Sequence, residues 1–365
     1  MNSLLNDNYC VIMAGGIGSR FWPWSRQNRP KQFLDILGSG RSMILETFDR
    51  FDTLVPEDNV LVVTGKKFEK MVLNELPALH PSQVLTEPDR RNTAPAIAYA
   101  AYKIASINPD AVMIVSPADQ HITNIKAFRE TLLGAVAYVK EHNCLMTIGI
   151  PPTYPATGYG YIELGEEAKA TGVGPIVRFK EKPCEEEAVQ LLATGNYVWN
   201  SGMFVWRVRD IISALEKYLP EVAVHFAEIN VYGQPGEIDA VSRAFLACPS
   251  ISIDYGVMEV ADNVACIQGT FDWDDLGTWQ SLQQHLEHHP TLCMPENTEG
   301  KGKVLLEDSS RTMVHQGVKH KDIVVVGLED YLIVDLDDTL LIAPKKDDKR
   351  LHQLLEKYAK QLKKQ

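Results

Sequence analysis

The strongest constraint on the fold is the alternation of short apolar runs with helix-like stretches over the first 150 residues. Five runs have the length and composition of buried strands: 9–14, 60–64, 83–86, 111–116 and 144–150. The segments between them have helical spacing: 42–54, 66–76, 93–107 and 126–142. Strands that are apolar throughout are buried on both faces, and intervening helices make them parallel. The pattern predicts a doubly wound, Rossmann-like α/β architecture, with ligands at the carboxyl ends of the strands.

The rest of the chain predicts an extension of this sheet and a small β segment. Strand-like pieces at 158–163, 177–181, 197–206 and 263–268 alternate with helices, so the complete sheet is expected to be mixed. Residues 285–303 are polar, contain Pro and Gly, and are expected to form a linker. Short Val, Ile and Leu runs from 304 to 343 predict a small all-β coil or sheet, and 347–365 a terminal helix. The predicted divisions are 1–284, 285–303 and 304–365.

Composition excludes several functional classes. The formal net charge of −12 disfavours long nucleic acids, which require a basic surface, but allows a small phosphorylated substrate held by a local basic cluster. No apolar stretch approaches the roughly 20 residues that cross a bilayer, and residues 1–8 lack a signal peptide's basic start. The six cysteines form no CxxC pair, so we expect neither a zinc site nor a disulfide framework. A cytoplasmic protein without membrane or nucleic-acid partners is expected; homo-oligomerisation is left open.

The first predicted strand is followed by a loop of small residues: Gly15, Gly16, Gly18 and Ser19. Glycines allow backbone N–H groups to converge on a phosphate, and Arg20 and Lys31 would add positive charge. The loop is neither a Walker A loop nor a complete GxGxxG fingerprint. Considered alone, it could equally be a plain turn.

The longer run GGIGSRFWPWSRQNRPKQFL at 15–34 resembles the signature of the sugar-nucleotide pyrophosphorylases, in particular their GDP-mannose branch. The resemblance implies a nucleotide-diphospho-sugar transferase fold in which this loop holds a triphosphate and Arg20 and Lys31 stabilise charge during transfer. Long bacterial members carry a fused isomerase domain. This chain stops too early to hold one, so we expect a short form without isomerase activity.

The loop EPDRRNTAP at 87–95 follows the third predicted strand and opens a helix. Asn92 or Thr93 is a plausible helix N-cap, which is a purely structural role. The resemblance implies instead that this loop surrounds the base, with Asn92 and Thr93 among the nucleotide-binding residues. Guanine presents N1–H and N2–H₂ on one edge, and a single carboxylate can accept from both. Glu87 is therefore the hypothesised guanine reader.

Two aspartates are candidate ligands for Mg²⁺, a hard cation that prefers oxygen. Asp119 ends the fourth predicted strand in SPADQH, where an aspartate could also serve only as a turn residue. Asp275 lies in FDWDDLGTW, next to Asp274, with which it could be confused. The resemblance implies that Asp119 and Asp275 hold the metal. His121 is assigned to loop structure.

The sugar side is predicted from TGYGYI at 157–162, FKEKP at 179–183 and NSGMF at 200–204. Taken singly, each could be an ordinary turn. The resemblance implies that Glu181 and Asn200 bind sugar hydroxyls, that Gly160 permits close approach of the sugar, and that Lys182 faces its phosphate. SIDYGVME at 252–259 also resembles the family, but Val260 stands where a lysine is usual, which puts a phosphate contact there in doubt.

The implied reaction transfers GMP from GTP to α-D-mannose 1-phosphate, giving GDP-mannose and pyrophosphate. The attacking phosphate oxygen is already anionic, so the chemistry needs positioning and cations rather than a strong base. Alternatives are the same chemistry with another base or sugar, or a non-catalytic sugar-nucleotide sensor. A NAD-dependent oxidoreductase is disfavoured because the complete glycine fingerprint and its acidic ribose reader are missing.

Overall fold

The computed structural model describes residues 7–16, 18–288, 302–317 and 321–345, together with Gln353, Leu354 and Lys357. The chain forms two compact units. The first unit consists of Met1–Gly15, Thr47–Ala118 and Ile122–Trp273, and the second of Gly16–Glu46, Asp119–His121 and Asp274–Gln365. Each unit is built from separated stretches of chain, so neither corresponds to one continuous segment. The predicted division at 284 and 303 stays a prediction.

Strands and helices alternate through most of the described chain. The strands are β1 (Asn8–Met13), β2 (Val60–Gly65), β3 (Val84–Glu87), β4 (Val112–Pro117), β5 (His121–Ile122), β6 (Leu145–Ile150), β7 (Tyr161–Leu164), β8 (Val173–Lys180), β9 (Tyr197–Arg207), β10 (Val264–Gln268), β11 (Trp273–Asp274), β12 (Val304–Glu307), β13 (Met313–Gln316), β14 (Ile323–Val326), β15 (Tyr331–Asp335) and β16 (Leu340–Pro344).

The α-helices are α1 (Met43–Arg50), α2 (Glu69–Glu75), α3 (Thr93–Ala105), α4 (Ile125–Glu141), α5 (Glu166–Thr171), α6 (Glu185–Thr194), α7 (Val208–Tyr218), α8 (Pro220–Ala227), α9 (Glu237–Ala247) and α10 (Trp279–His288). Single 3-10 turns occur at Ser19–Phe21, Lys31–Phe33, Glu57–Asn59, Lys66–Phe68 and Pro81–Gln83, and a π-helical turn at Asp254–Met258. None of the helices in the described part of the chain is long and apolar enough to cross a membrane.

A nine-stranded mixed sheet forms the first unit, in the order β3-β2-β1-β4-β9-β6-β10-β8-β7. Strands β1 to β4 pair in parallel, as predicted. Strand β9 lies between β4 and β6 and is antiparallel to both, so the complete sheet is mixed, as predicted, and β4 and β6 run in the same direction without being neighbours. This long strand, buried at ten of its eleven residues, comes from the second half of the chain, so local alternation could not reveal its position.

Helix α3 brings small residues against the sheet and the following helices. Its residues from Ala94 to Ala101 are all buried, and five of these eight are alanine. They belong to one core cluster with Val63, Val115 and Phe226. This close packing of alanines against larger side chains holds α3 against its neighbours, and Asn92 caps its first turn. That start carries two of the predicted nucleotide-binding residues.

The second unit contains a small coil of β-strands, here called the β-coil (residues 304–344). Its strand β12 pairs in parallel with β14, and β13 with β15. Val304 is opposite Ile323 and Met313 opposite Leu332, so each turn of the coil takes 19 residues. Strand β16 returns antiparallel to β15. The predicted small β coil is confirmed, although β13, with the sequence MVHQ, was not among the predicted runs.

Two sequence predictions fall largely outside the described residues. Of the predicted linker, residues 285–288 belong to α10, residues 302 and 303 lead into β12, and 289–301 lie outside the described part. Of the predicted terminal helix, only Gln353, Leu354 and Lys357 are described.

Candidate active site

Lys31 connects the two predicted metal-binding loops within the second unit. It begins the 3-10 turn Lys31–Phe33, and only 4% of its side chain is exposed. Its Nζ donates to the backbone carbonyls of Asp119, at 2.7 Å, and Asp275, at 2.6 Å. The same ammonium lies 3.3 Å from Asp119 Oδ2. A buried ammonium requires such compensation, and here it brings the lysine and both aspartates to one point.

Hydrogen bonds within the loop distinguish Asp275 from Asp274. Asp275 Oδ1 accepts from the backbone N–H of Gly277 at 3.0 Å, and a methyl group on Gly277 would lie 2.5 Å from Asp275 Oδ2. Asp274 Oδ1 accepts from the N–H of Leu276, and its Oδ2 lies 3.4 Å from His285 Nδ1. The two aspartates thus differ in their surroundings. Asp275 binds Lys31 through its backbone carbonyl, whereas the side chain of Asp274 faces His285 of α10.

Gly18 of the glycine loop (residues 16 and 18–20) packs against Lys31 within the second unit. Gly18 has a φ of +64°, and any side chain on it would collide with Lys31 Cβ. Only glycine suits both the conformation and the space. Gln32 Nε2 donates to the carbonyl of Gly16 at 3.0 Å. Ser19 and Arg20 open the following 3-10 turn, and Arg20 is exposed.

Glu87 lies in the first unit at the carboxyl end of β3, in contact with Gly15. A methyl group on Gly15 would be 2.8 Å from Glu87 Oε2, so only glycine leaves room there. Burial raises the pKa of Glu87 to about 7, against a smaller lowering effect of Arg90. A buried carboxyl group whose pKa has been moved to neutrality is typical of a functional position.

The start of α3 shows that its two predicted residues have structural contacts. Asn92 is the N-cap, with its side chain accepting from the N–H of Thr93 at 3.0 Å. Its backbone has φ 66° and ψ −164°, a region that non-glycine residues rarely adopt. Thr93 Oγ1 accepts from the N–H of Ile253 at 2.9 Å. The capping alternative thus applies to Asn92, and the nucleotide-binding role of both residues stays a prediction.

Gly160, Glu181 and Asn200 meet in the first unit. A side chain on Gly160 would strike Glu181 Oε2 and would come within 3.3 Å of Asn200 Cβ. Glu181 Oε2 is buried and has no hydrogen-bond partner among the described residues, while Oε1 is paired with Lys182 Nζ. An unsatisfied buried carboxylate oxygen is costly. A donor group that reached this oxygen would remove that cost.

Asp254 is a residue of this group that the site prediction omitted. Its Oδ1 accepts from Asn200 Nδ2 at 3.0 Å, and Asn200 Oδ1 in turn accepts from Thr147 Oγ1 at 2.9 Å. Burial and the neighbouring Glu181 raise the pKa of Asp254 to about 6. The signal was available, because Asp254 stands within SIDYGVME, a run already singled out by resemblance.

Within each unit, direct contacts join several of the predicted site residues. In the first unit, Thr93 binds the backbone of Ile253, whose neighbour Asp254 binds Asn200. In the second unit, Lys31 joins the glycine loop to both aspartates. The members in the first unit are Gly15, Glu87, Asn92, Thr93, Gly160, Glu181, Lys182 and Asn200; those in the second are Gly16, Gly18, Ser19, Arg20, Lys31, Asp119 and Asp275.

The donor set fits a metal that is shared with a substrate. Among the described residues, no group of three or more His, Cys, Asp or Glu side chains is arranged to hold a metal ion. Mg²⁺ is commonly bound by one or two carboxylates together with substrate phosphates and water, rather than by an all-protein cage. Asp119, whose side chain is 37% exposed, and Asp275 supply two carboxylates of this kind beside the glycine loop.

A glycine loop at the end of the first strand, a buried lysine and two aspartates define a phosphate-handling α/β protein. Residues 9–290 match the Nucleotidyl transferase family, and the chain belongs to that family. Nucleotidyl transferases typically depend on a divalent metal.

Within this family, the chain is similar to proteins named as mannose-1-phosphate guanylyltransferases and as alginate biosynthesis proteins. It is 35% identical over 344 residues to a mannose-1-phosphate guanylyltransferase of Escherichia coli, covering 91% of this chain and 70% of that protein. It is 36% identical over 343 residues to the alginate biosynthesis protein AlgA of Pseudomonas putida, covering 92% of this chain and 68% of that protein. A solved structure described as a mannose-1-phosphate geranyltransferase from Thermus thermophilus matches with a TM-score of 0.81 and 27% identity, covering 97% and 99% of the two chains.

Proposed function

We propose that this chain is a mannose-1-phosphate guanylyltransferase, which transfers GMP from GTP to α-D-mannose 1-phosphate and releases pyrophosphate. The observation that carries the proposal is the position of Lys31 Nζ, bound to both Asp119 and Asp275 beside the glycine loop. The identity of 35% to a guanylyltransferase of this name over most of the chain supports the choice of substrates. The reaction is proposed to take place in the cytoplasm.

In the proposed mechanism, a phosphate oxygen of mannose 1-phosphate attacks the α-phosphorus of GTP. The bond from the α-phosphorus to the bridging oxygen breaks, and pyrophosphate leaves. The nucleophile is already ionised, so no residue needs to remove a proton from it. Catalysis consists of positioning and of stabilising negative charge as it moves toward the leaving group.

Residues of the second unit would manage that charge. Backbone N–H groups of the glycine loop and the exposed Arg20 would bind the phosphates that leave as pyrophosphate. Asp119 and Asp275 would hold Mg²⁺, which when bound supplies positive charge to the phosphates. Lys31 would keep both aspartates in place and add its own charge. Because the chain has a net charge of −12, this local positive charge is what allows two anionic substrates to meet.

Residues of the first unit would select the substrates. Glu87 as a carboxylate would accept from N1–H and N2–H₂ of guanine. The free Oε2 of Glu181 would accept from a sugar hydroxyl, with Asn200 held in place by Asp254 and Thr147. Lys182, half exposed and paired with Glu181, would turn toward the phosphate of the sugar.

The test is a substrate panel with pyrophosphate release as the readout. Purified protein with Mg²⁺ is offered GTP, UTP, dTTP or ATP, each with mannose 1-phosphate or glucose 1-phosphate. The proposal expects the largest kcat/KM with GTP and mannose 1-phosphate, and GDP-mannose as the product. Turnover that is highest with another pair would replace the substrates and keep the chemistry. Binding of GDP-mannose without turnover of any pair would identify a sensor and reject the enzyme.

A further inference from the structure

The segment that follows the glycine loop packs on the β-coil. This segment, here called the bracing loop, consists of residues 21–29. Trp24 stacks on His315 of β13, with ring centroids 3.7 Å apart, and on Trp279 of α10 at 5.9 Å. Arg26 forms a bidentate ion pair with Asp338, which lies in the turn between β15 and β16. The Nη1–Oδ2 and Nη2–Oδ1 distances are both 2.5 Å. All of these residues belong to the second unit.

Arg26 has contacts in two directions. Its Nη2 also donates to Thr339 Oγ1 at 3.1 Å, and its Nε donates to the carbonyl of Pro23 at 2.8 Å. Each of the three side-chain nitrogens thus donates either to the turn of the β-coil or to the backbone of the bracing loop itself. The planar guanidinium group fixes the relative positions of the groups it binds. Arg26 therefore couples the shape of the bracing loop to the β-coil.

The bracing loop is in turn continuous with the phosphate-handling residues. The N–H groups of Trp24 and Ser25 both donate to the carbonyl of Phe21, and the N–H of Phe21 donates to the carbonyl of Gly18. Phe21 is fully buried, lies 5.8 Å from Lys31 Nζ, and shares a core cluster with Leu332 and Val334 of β15. A chain of direct contacts leads from the β-coil to Gly18 and Lys31.

From these contacts we propose that the β-coil is a positioning part of the phosphate site, acting through Arg26, Trp24 and Asp338. These residues touch no substrate in this scheme. They hold the glycine loop and Lys31 in the arrangement that binds the triphosphate. The inference rests on the proposed function only for the name of the nucleotide, because the same loop would be braced in any nucleotidyl transferase. The inference assigns a role to the β-coil, which lies beyond the residues 9–290 that match the family.

The first test compares Asp338→Ala with a matched variant, Arg311→Ala. Arg311, like Asp338, is a β-coil residue in an exposed ion-pair cluster, 2.8 Å from Asp330 and 2.5 Å from Glu329, but these partners lie in the β-coil itself. Each variant is titrated with magnesium tripolyphosphate by calorimetry. We expect Asp338→Ala to weaken binding about 3-fold, which is the scale of a partly exposed ion pair, and Arg311→Ala to leave it unchanged. Equal affinity in both variants, or no tripolyphosphate binding by the parent protein, would overturn the inference.

Steady-state kinetics separates positioning from simple loss of folded protein. We expect Asp338→Ala to raise KM for GTP about 3-fold while KM for mannose 1-phosphate stays unchanged, and Trp24→Ala to raise KM for GTP about 10-fold because it loses two aromatic contacts. A merely structural role would lower kcat per mole of protein and leave both KM values and the tripolyphosphate affinity alone. That result would also overturn the inference.

Two further variants keep the test decisive. Asp338→Asn, which retains one acceptor oxygen for Arg26, is expected to lie between the parent protein and Asp338→Ala. Arg26→Ala combined with Asp338→Ala should be no worse than Arg26→Ala alone, because the two residues act through one contact. Fully additive effects would contradict the coupling. If tripolyphosphate binding shifts as expected but GTP and mannose 1-phosphate are not converted, the proposed function fails and the bracing role stands.

Discussion

Lys31 has two roles at once, and a single substitution should reveal both. Its ammonium is the donor for two loop carbonyls and also a positive charge beside the glycine loop. Lys31→Met keeps the length of the side chain and removes the charge. We expect turnover to fall on the order of 10²–10³-fold, as when one preorganised charge is removed. We also expect the free energy of unfolding to fall by about 1–3 kcal/mol, because the two carbonyls lose their donor.

Turnover and thermal denaturation of Lys31→Met are measured beside those of Lys66→Met. Lys66 is an exposed lysine of the 3-10 turn Lys66–Phe68 in the first unit, so its replacement should change neither quantity. Near-normal turnover of Lys31→Met would remove Lys31 from the mechanism. A loss of stability without a loss of turnover in the folded fraction would reduce it to a structural residue.

The pKa of Glu87, raised to about 7 by burial, predicts that recognition of guanine depends on pH. Only the carboxylate can accept from both N1–H and N2–H₂. As the pH falls through 7 the group gains a proton, so KM for GTP is expected to rise, about 10-fold for each pH unit below 7. In Glu87→Gln this pH dependence should vanish, together with the preference for GTP over UTP. A parallel pH profile in the two proteins would contradict the assignment, and Glu57→Gln, at an exposed glutamate of the 3-10 turn Glu57–Asn59, is the control.

The same shift has a consequence for stability. Between the ordinary pKa of 4.5 and the folded value of about 7, the folded chain binds more protons at Glu87 than the unfolded chain. Stability is therefore lost as the pH rises through that window, by up to about 3 kcal/mol. Glu87→Gln should accordingly raise the Tm at pH 8 and leave it nearly unchanged at pH 4. An equal change in Tm at both pH values would show that Glu87 is not the source.

At the scale of elements, the beginning of α3 and the π-helical turn Asp254–Met258 are joined by one hydroxyl. Thr93 Oγ1 accepts from the N–H of Ile253, a residue only 1% exposed. Thr93→Val removes the acceptor and keeps the shape, which leaves that N–H without a partner. We expect a loss of about 1–3 kcal/mol in the free energy of unfolding. We also expect a rise in KM for mannose 1-phosphate, because Asp254, which holds Asn200, follows directly.

Thr93→Ser retains the hydroxyl and is the control for this pair of elements. Denaturant unfolding and the two KM values should be close to those of the parent protein in Thr93→Ser. If Thr93→Val raised KM for GTP and left KM for mannose 1-phosphate unchanged, the side chain would act on the nucleotide directly, as the family resemblance implies. The coupling of α3 to Asp254 would then be wrong.

At the scale of the whole molecule, local sequence patterns predict where the strands and helices lie along the chain. They predict less well which strands pair with each other in the sheet. The parallel strands β1 to β4 each follow a continuous apolar run, so burial on both faces could be predicted from the sequence alone. The place of β9 between β4 and β6 depends on pairing between residues about 50 to 90 positions apart, such as Ile114 with Val205 and Met146 with Val205. Such pairing leaves no local signal.

The candidate site shows the same limit. Lys31, Asp119 and Asp275 could be named from motifs, but their meeting at one ammonium depends on folding across 88 and 244 residues of sequence. Arg26 and Asp338, separated by 312 residues, could not be paired from sequence because each is an ordinary charged residue in a polar context. The run SIDYGVME marks Asp254 as a candidate site residue, but its hydrogen bond to Asn200 is evident only from the structure.

Because the chain has a net charge of −12, we expect binding of a triphosphate to require a metal ion for two reasons. One is the negative charge of the whole chain, and the other is the pair of aspartates, Asp119 and Asp275. A triphosphate approaching an acidic protein is repelled unless a cation accompanies it. GTP with Mg²⁺ at about 100 times its Kd is expected to stabilise the fold by about 2.7 kcal/mol, and excess EDTA should abolish most of that gain. Asp119→Asn and Asp275→Asn should lose the metal-dependent part of the thermal shift, whereas Asp274→Asn, one residue away and facing α10, should keep it. A GTP-induced shift that survives EDTA unchanged would mean that Arg20, Lys31 and the loop amides hold the triphosphate unaided, and the two aspartates would then serve only to anchor Lys31.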